Sequence, residues 1–164
     1  MAIKDAWLAE FDHEMAQTRR ILERVPEDKF DWRPHAKSMT LGRLATHVAE
    51  IPGLAGAVLA LPELDMPSTS DFNRTAKRRQ DLLDEFDTVT SKARGALQAL
   101  KEEAVADPWS FKFDGRTIFT QPRAVAYRGF AMNHLIHHRA QLSVYLRLLD
   151  VPVPGLYGPS ADEQ

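Results

Sequence analysis

Four long stretches of this chain carry apolar side chains at intervals of three and four residues, the spacing typical of an amphipathic helix. They run over about residues 3–24, 41–60, 73–101 and 121–149. Residues that break or cap helices separate them, and Thr40 is a suitable N-cap for the second. Four helices of this length, joined by short connections, predict an all-α protein with the architecture of a four-helix bundle.

A small β-hairpin is predicted between helices three and four. Aromatic residues alternate with polar ones over residues 109–113, and Asp114-Gly115 separates them from a second alternating run at 116–119. An Asp-Gly pair between two such runs is the typical signal of a tight hairpin turn. The connection at 62–70 and the tail at 151–164 are rich in turn-forming residues, so both are predicted to be irregular.

Length, charge and cysteine content restrict the class of protein. The 164 residues suit one core and show no shift in composition, so residues 1–164 are expected to form a single domain. The absence of Cys excludes disulfides and a protein thiol nucleophile, and agrees with a cytoplasmic location. With 21 basic and 23 acidic residues, the net charge of −2 argues against nucleic-acid binding. No apolar run approaches the roughly 18 residues of a membrane span, and residues 1–5 lack the start of a signal peptide.

Three of the six histidines are predicted to face the interior of the bundle. At about 100° per residue, His134 and His138 lie about 40° apart on the apolar stripe of the fourth helix. By the same arithmetic, His47 lies within about 60° of the apolar residues of the second helix. His13 falls on the opposite side of the first helix and His35 lies in a loop, so both are predicted at the surface.

Two interpretations fit three inward imidazoles. Each can be a core histidine with its own hydrogen-bond partner, as buried polar groups usually are. Alternatively, one divalent ion satisfies all three, since a pair at i and i+4 places its side chains about 6 Å apart on one helix face. Three neutral imidazoles suit Zn, Ni, Fe or Mn and leave positions open for water or substrate. The spacing alone leaves both interpretations open.

Two polar residues follow the inward histidines by about one turn. Glu50 and Gln141 are therefore candidates to orient a ligand from behind, and Glu50 is also the best placed carboxylate for a general base. For each, a solvated helix side chain is the commoner interpretation. Tyr127 and Tyr145 share the histidine stripe two turns away and are predicted to pack in the core.

Four segments carry a family resemblance that spans nearly the whole chain. They are Phe-Asp-Trp-Arg-Pro at 30–34, Leu-Ala-Thr-His-Val-Ala-Glu at 44–50, Asn-His-Leu-Ile-His-His-Arg-Ala-Gln-Leu at 133–142, and the tail at 151–160. In order and spacing these segments resemble the DinB-like (DinB/YfiT) metalloenzyme superfamily.

The resemblance implies a four-helix bundle with an unusual helix order, commonly a homodimer, that holds a divalent metal. It implies one histidine ligand from the second helix and a His-x-x-x-His pair from the fourth. In this sequence these ligands are His47, His134 and His138, with His137 as the alternative to His138 if the helix is locally overwound.

The resemblance also implies a class of chemistry, because members of the superfamily include transferases and isomerases that use low-molecular-weight thiols. The expected function is metal-dependent chemistry on a small molecule. It is either transfer of a small thiol that the metal holds as thiolate, or hydrolysis by water that the metal activates. The alternative is a non-catalytic, stress-related bundle with a structural metal or a partner-binding role. No motif in the sequence names the substrate.

Overall fold

Four long helices form the body of the protein, which confirms the predicted bundle. The structure, a computed structural model, describes residues 3–163. Three residues lie outside the described part of the chain, namely Met1, Ala2 and Gln164. The predictions for the N-terminus and the tail included these residues. The helices are α1 (Ile3–Leu22), α2 (Leu41–Ala60), α3 (Arg79–Ala99) and a composite fourth helix made of α4 (Arg123–Ala126), a π-helical segment (Tyr127–Met132) and α5 (Asn133–Leu148).

The start of α3 differs from the prediction because side chains nearby stabilise turns before it. The helix was predicted from residue 73 but begins at Arg79. The Asp71 carboxylate accepts a hydrogen bond from the backbone N–H of Asn73 at 3.0 Å, which holds a turn. The Asp81 carboxylate accepts from the backbone N–H of Arg78 at 3.1 Å and so caps the helix. The other helix ends lie within about two residues of the predicted ones.

The predicted hairpin is present between the third and fourth helices. Strands β2 (Pro108–Phe113) and β3 (Arg116–Pro122) pair antiparallel in the structure. Asp114 and Gly115 connect them with φ angles of 48° and 73°, the left-handed conformation that a type I′ turn requires. Because the second of these strands extends to Pro122, the fourth helix begins later than predicted, at Arg123.

A third strand joins this hairpin, where the sequence predicted an irregular connection. The strand Glu63–Met66 lies within segment 62–70 and pairs in parallel with Pro108–Phe113, on the side away from Arg116–Pro122. We number it β1, since it comes first in the chain. The backbone N–H of Gly115 donates to the Asp65 carboxylate at 3.1 Å, which fastens the strand to the hairpin turn. A strand this short is stabilised by partners distant in sequence, so its own residues carry no clear signal.

The fourth helix changes geometry at its π-helical segment. The prediction assumed about 100° per residue throughout, but each π turn takes up an additional residue and rotates the face of everything before it. Tyr127 therefore does not share the histidine face, and its ring packs against Trp7 of α1 at a centroid distance of 4.7 Å. Its predicted packing role is confirmed. The segment ends immediately before α5 and presents Phe130 beside His134, with ring centroids 6.5 Å apart.

The core lies between the four helices and one face of the sheet. Trp109 of β2 is fully buried and joins the sheet to the fourth helix through Phe130, at a centroid distance of 5.7 Å. Tyr145, also predicted to pack, is half-buried and stands edge-on to Trp32 at 5.6 Å. Within residues 3–163, no helix has both the length and the apolar composition needed to cross a bilayer. Large buried side chains come from each long helix and include Phe11, Ile21, Leu44, Ile51, Phe86, Leu97 and Leu142.

Candidate metal centre

The structure brings together the three histidines that the sequence predicted to face inward. His47 comes from α2, and His134 and His138 come from adjacent turns of α5. One ring nitrogen from each lies within 4.8 Å of the others, and the Nε2 atoms of His47 and His134 are 3.1 Å apart. Each imidazole is half-buried, so the group lies at the edge of the core rather than inside it as predicted. His13 and His35 are exposed, as predicted.

The donor set fits a divalent transition metal. Two imidazole nitrogens bound to one Zn²⁺ at about 2.0–2.1 Å lie about 3.0–3.4 Å from each other, depending on the coordination angle. The separation of 3.1 Å between the Nε2 atoms of His47 and His134 falls in this range. Three imidazoles are suitable ligands for Zn, Ni, Fe or Mn. The three residues could therefore hold one ion.

Burial keeps the three imidazoles neutral, which is the form that binds a metal. Desolvation, together with the neighbouring His138 and His134, lowers the pKa of His47 to about 3. Desolvation also lowers the pKa of His134 and the pKa of His138. At neutral pH all three rings therefore carry a free lone pair.

Gln141 contacts the back of one predicted ligand. The Nδ1–H of His138 donates to Oε1 of Gln141 at 2.7 Å, which leaves Nε2 of the same ring to face the group. This is the contact expected of a residue that orients a ligand. His137, the alternative ligand to His138, is exposed. The ring nitrogens that lie within 4.8 Å of one another belong to His47, His134 and His138.

Glu50 lies near His47 but is held mainly by two arginines. Its Oε2 atom is 4.0 Å from Nδ1 of His47 and 3.1 Å from Nη2 of Arg43. Its Oε1 atom accepts from Nη2 of Arg74 at 2.7 Å, and Arg74 also contacts Glu85. Both carboxylate oxygens thus contact guanidinium groups, which hold the side chain in place and compete with a substrate proton for its lone pairs, so the geometry does not favour the predicted role of general base.

The two arginines were missed by the sequence analysis. Arg43 precedes His47 by one turn of α2, and its Nη2 lies 3.4 Å from Nδ1 of that ring. An i, i+4 spacing on a helix with a predicted ligand is a signal that could have found it. Arg74 lies in the irregular segment before α3, where nothing in the sequence places its side chain near Glu50.

A cavity of about 470 Å³ opens beside the histidines. His47 and His134 form part of its wall, together with Arg43 and Glu50. The sequence did not predict this cavity, because its wall combines the end of the loop before α2, α2 itself, the loop after β1, two strands, the π-helical segment and α5. The rest of the wall is mainly apolar, with the aliphatic side chains Met39, Ile51, Leu54 and Met66 and the aromatic rings Phe72, Phe111 and Phe130.

A buried ion pair fixes the helix that carries two of the histidines. Arg139 follows His138 directly and is 1% exposed. Its Nη2 lies 2.6 Å from the carboxylate of Glu14, and its Nη1 donates to Oγ1 of Thr18 at 3.2 Å. The hydroxyl of Tyr157 donates to the same carboxylate at 2.8 Å, which attaches the C-terminal tail. The sequence analysis missed this cluster, because isolated charged residues on amphipathic helices usually face solvent.

The fold and the site together define a class: a four-helix bundle with a small sheet, whose three-histidine group beside an open cavity could hold a divalent metal. The chain belongs to the DinB family, whose family model matches residues 2–164. The resemblance that the histidine segments suggested is thereby confirmed.

Known structures and sequences agree with this assignment. A crystal structure of a DinB-like protein from Bacillus cereus ATCC 10987 shares the fold, with a TM-score of 0.73 and 21% identity over 93% of this chain and 97% of that one. A DinB-like protein from Bacillus subtilis gives a TM-score of 0.68 at 22% identity, over 96% of each chain. In sequence, the chain is 23% identical over 159 residues to the uncharacterized protein YrdA of Bacillus subtilis strain 168, covering 97% of this chain and 90% of YrdA.

Proposed function

We propose that this protein is a divalent-metal-dependent enzyme that transfers a low-molecular-weight thiol to a small electrophile. One observation carries the proposal: three neutral imidazoles converge beside a cavity of about 470 Å³, and two of them form part of its wall. A pocket of this volume accommodates a small molecule. The metal is one of Zn, Ni, Fe or Mn, the ions that three imidazoles suit.

The open cavity favours a catalytic metal over a structural one. A structural zinc site is usually closed by four protein ligands, whereas a catalytic site has three and leaves a position for substrate. Among residues 3–163, the group at this site contains three donors, His47, His134 and His138. Two of these, His47 and His134, also line the cavity. A molecule in the cavity could therefore reach a metal that these histidines hold.

The state of Glu50 supports thiol transfer over hydrolysis. A bound divalent ion would supply Lewis acidity and hold a small thiol as thiolate near neutral pH. Thiol transfer then needs no protein base: the thiol proton passes to solvent, a carbon–sulfur bond forms, and the leaving group departs with its electron pair. Attack by water benefits more from a base, and the nearest carboxylate is already engaged by Arg43 and Arg74.

Side chains of this protein would orient one metal ligand and keep water away from a bound substrate. Gln141 holds the ring of His138 so that Nε2 faces the group. A substrate that covers the apolar wall would displace water from the space beside the histidines, which protects a reactive electrophile from hydrolysis. The alternative, a non-catalytic bundle with a structural metal or a partner-binding role, predicts metal without turnover.

The first test is elemental analysis of untagged protein purified without chelators. We expect about one divalent ion per chain, and its loss in His47→Ala and in His138→Ala. His13→Ala, which changes an exposed histidine on α1, is the matched control and should retain the ion. A wild-type protein that contains no metal and takes up none of Zn, Ni, Mn or Fe would contradict the proposal.

The second test separates the reactions. The metal-loaded protein is assayed with small thiols (cysteine, cysteamine, glutathione) and a chromogenic aryl chloride, and in parallel with nitrophenyl esters without thiol. We expect thiol-dependent turnover that a chelator abolishes. Hydrolysis without thiol would make the protein a hydrolase, and a metal-loaded protein inactive in both assays would favour the non-catalytic alternative.

A further inference from the structure

We propose that the cavity beside the histidines takes a neutral substrate with an apolar body and a single polar end. The inference deepens the proposed function and rests on it, because the polar end would face the three imidazoles. The composition, charge and exposure of the cavity wall carry it.

The wall offers apolar surface that only an apolar ligand can cover. The ring centroids of Phe111 and Phe130 lie 4.9 Å apart, with an angle of 39° between the ring planes. Together the two rings form an aromatic part of the wall next to His134. Met39 and Phe72 in the same wall remain 40% and 46% exposed. Removing such surface from water gains about 25 cal/mol per Å², so a ligand with an apolar body is favoured.

The charges of the wall do not favour an anion. Among residues 3–163, Arg43 is the one Arg or Lys in the wall, and its guanidinium already contacts Glu50. Arg74 behind it is shared between Glu50 and Glu85, so two cations face two carboxylates. Asp71 adds a further acidic group at the rim. A carboxylate or phosphate entering the cavity would lose hydration without gaining an unpaired cation, which is costly.

The outer part of the wall is held in place by the sheet. The loop after β1 carries Phe72, whose ring lies 6.1 Å from that of Phe113. The backbone N–H of Ser68 in the same loop donates to the carboxylate of Asp114 in the hairpin turn at 2.8 Å. Phe72 is therefore a supported but exposed part of the wall, and replacing it should alter ligand binding with little effect on folding.

The test compares two ligands of the same shape. 2-Naphthamide is neutral and 2-naphthoate carries a carboxylate on the same rings. Dissociation constants of both ligands are measured by titration calorimetry, first on the protein as purified and then on the protein after chelation. Chelation removes any metal, so the carboxylate of 2-naphthoate cannot bind a metal directly in the second measurement. We expect the amide to bind the chelated protein at least about tenfold more tightly than the carboxylate.

A pair of variants assigns the binding to the cavity. Phe72→Ser should weaken binding of 2-naphthamide by about tenfold, whereas Ile118→Ser, which changes an exposed apolar residue of β3 outside the cavity, should leave it unchanged. Equal or tighter binding of 2-naphthoate to the chelated protein would overturn the neutral substrate class. Absence of amide binding up to about 1 mM, or no effect of Phe72→Ser, would overturn the assignment to this cavity.

The outcome is distinguishable from that of the metal analysis, because binding of 2-naphthamide requires no metal. A protein that holds a metal but not the amide loses this inference and keeps the proposed function. A protein that binds the amide but takes up no metal keeps an apolar binding site and loses the proposed function.

Discussion

Single hydrogen bonds at the histidines decide which nitrogen each ring can offer to a metal. His138 donates through Nδ1 to Gln141, so its Nε2 is the available atom. Nδ1 of His47 faces two groups, Nη2 of Arg43 at 3.4 Å and Oε2 of Glu50 at 4.0 Å. If Nε2 of His47 binds a metal, Nδ1 carries the proton, and of these two groups only the carboxylate can accept it. Glu50 is thus better suited to orienting His47 than to acting as a base.

At this scale we predict that Gln141→Leu weakens metal binding by about 10–100-fold, the usual effect of losing a hydrogen bond behind a ligand. Gln141→Glu retains an acceptor for Nδ1–H of His138 and should bind at least as tightly as wild type. Affinity is measured by competition with a chromophoric chelator.

A matched control for this prediction is Gln80→Leu on α3, whose amide donates to Asp84. Both glutamines are exposed, so neither change should affect folding. Equal affinities of Gln141→Leu and Gln80→Leu would show that the contact with His138 has no role in binding.

Two features of whole elements position the site. The π-helical segment rotates the start of the fourth helix, so that Phe130 lies beside His134 while Tyr127 packs against α1. On the opposite side of α5, the buried cluster of Arg139 and Glu14 joins this helix to α1. Since His138 and Arg139 are adjacent, the ion pair holds the helix that presents the histidine pair.

We predict that Arg139→Met destabilises the protein by about 3–5 kcal/mol, because it leaves the Glu14 carboxylate buried without its cation. The double variant Glu14→Gln/Arg139→Met removes both charges and should recover a substantial part of this loss. The free energy of unfolding is measured by urea titration with circular dichroism. A loss below about 1 kcal/mol in the single variant, or no recovery in the double variant, would show that the pair contributes little.

The whole molecule couples the histidine group to global stability through protonation. The folded state lowers the pKa of His47 to about 3, whereas the unfolded chain has an ordinary value near about 6.5. The unfolded state therefore binds the proton first as pH falls. The contribution of this histidine is fully present above about pH 6.5 and is lost progressively as the pH decreases toward 3.

For the metal-free protein we predict that His47 lowers the free energy of unfolding by about 2 kcal/mol between pH 6.5 and about 4.5, and that His134 and His138, whose pKa values are also lowered, add to this fall. His47→Gln should make this dependence less steep. Over that window the carboxylates with lowered pKa values, such as those of Asp114 and Asp162, stay ionised and do not contribute. Urea titrations at each pH provide the measurement. A wild-type profile that is flat, or that His47→Gln does not change, would contradict the assigned burial of this ring.

The homodimer, the cytoplasmic location and the use of a small-molecule substrate remain predictions. The fold and the family are established, since the four helices, the structural neighbours and the family model agree.

Features that depend on neighbouring residues can be predicted from the sequence of this protein. Helix positions follow from apolar spacing, the hairpin from Asp114-Gly115, and the convergence of His134 and His138 from their separation by one regular turn. Local hydrogen bonds and backbone preferences encode these, so they can be read in a short window of sequence. The segments around His47 and His134 also indicated the family.

Features that depend on residues distant in sequence become visible once the chain has folded. The strand Glu63–Met66 exists because it pairs with β2, Arg139 is buried because Glu14 of α1 meets it, and Arg74 reaches Glu50 from a loop. The cavity likewise forms where helices, strands and a loop meet. Each of these arrangements depends on how elements pack against one another. Packing is a property of the whole fold, so no local pattern of residues records it.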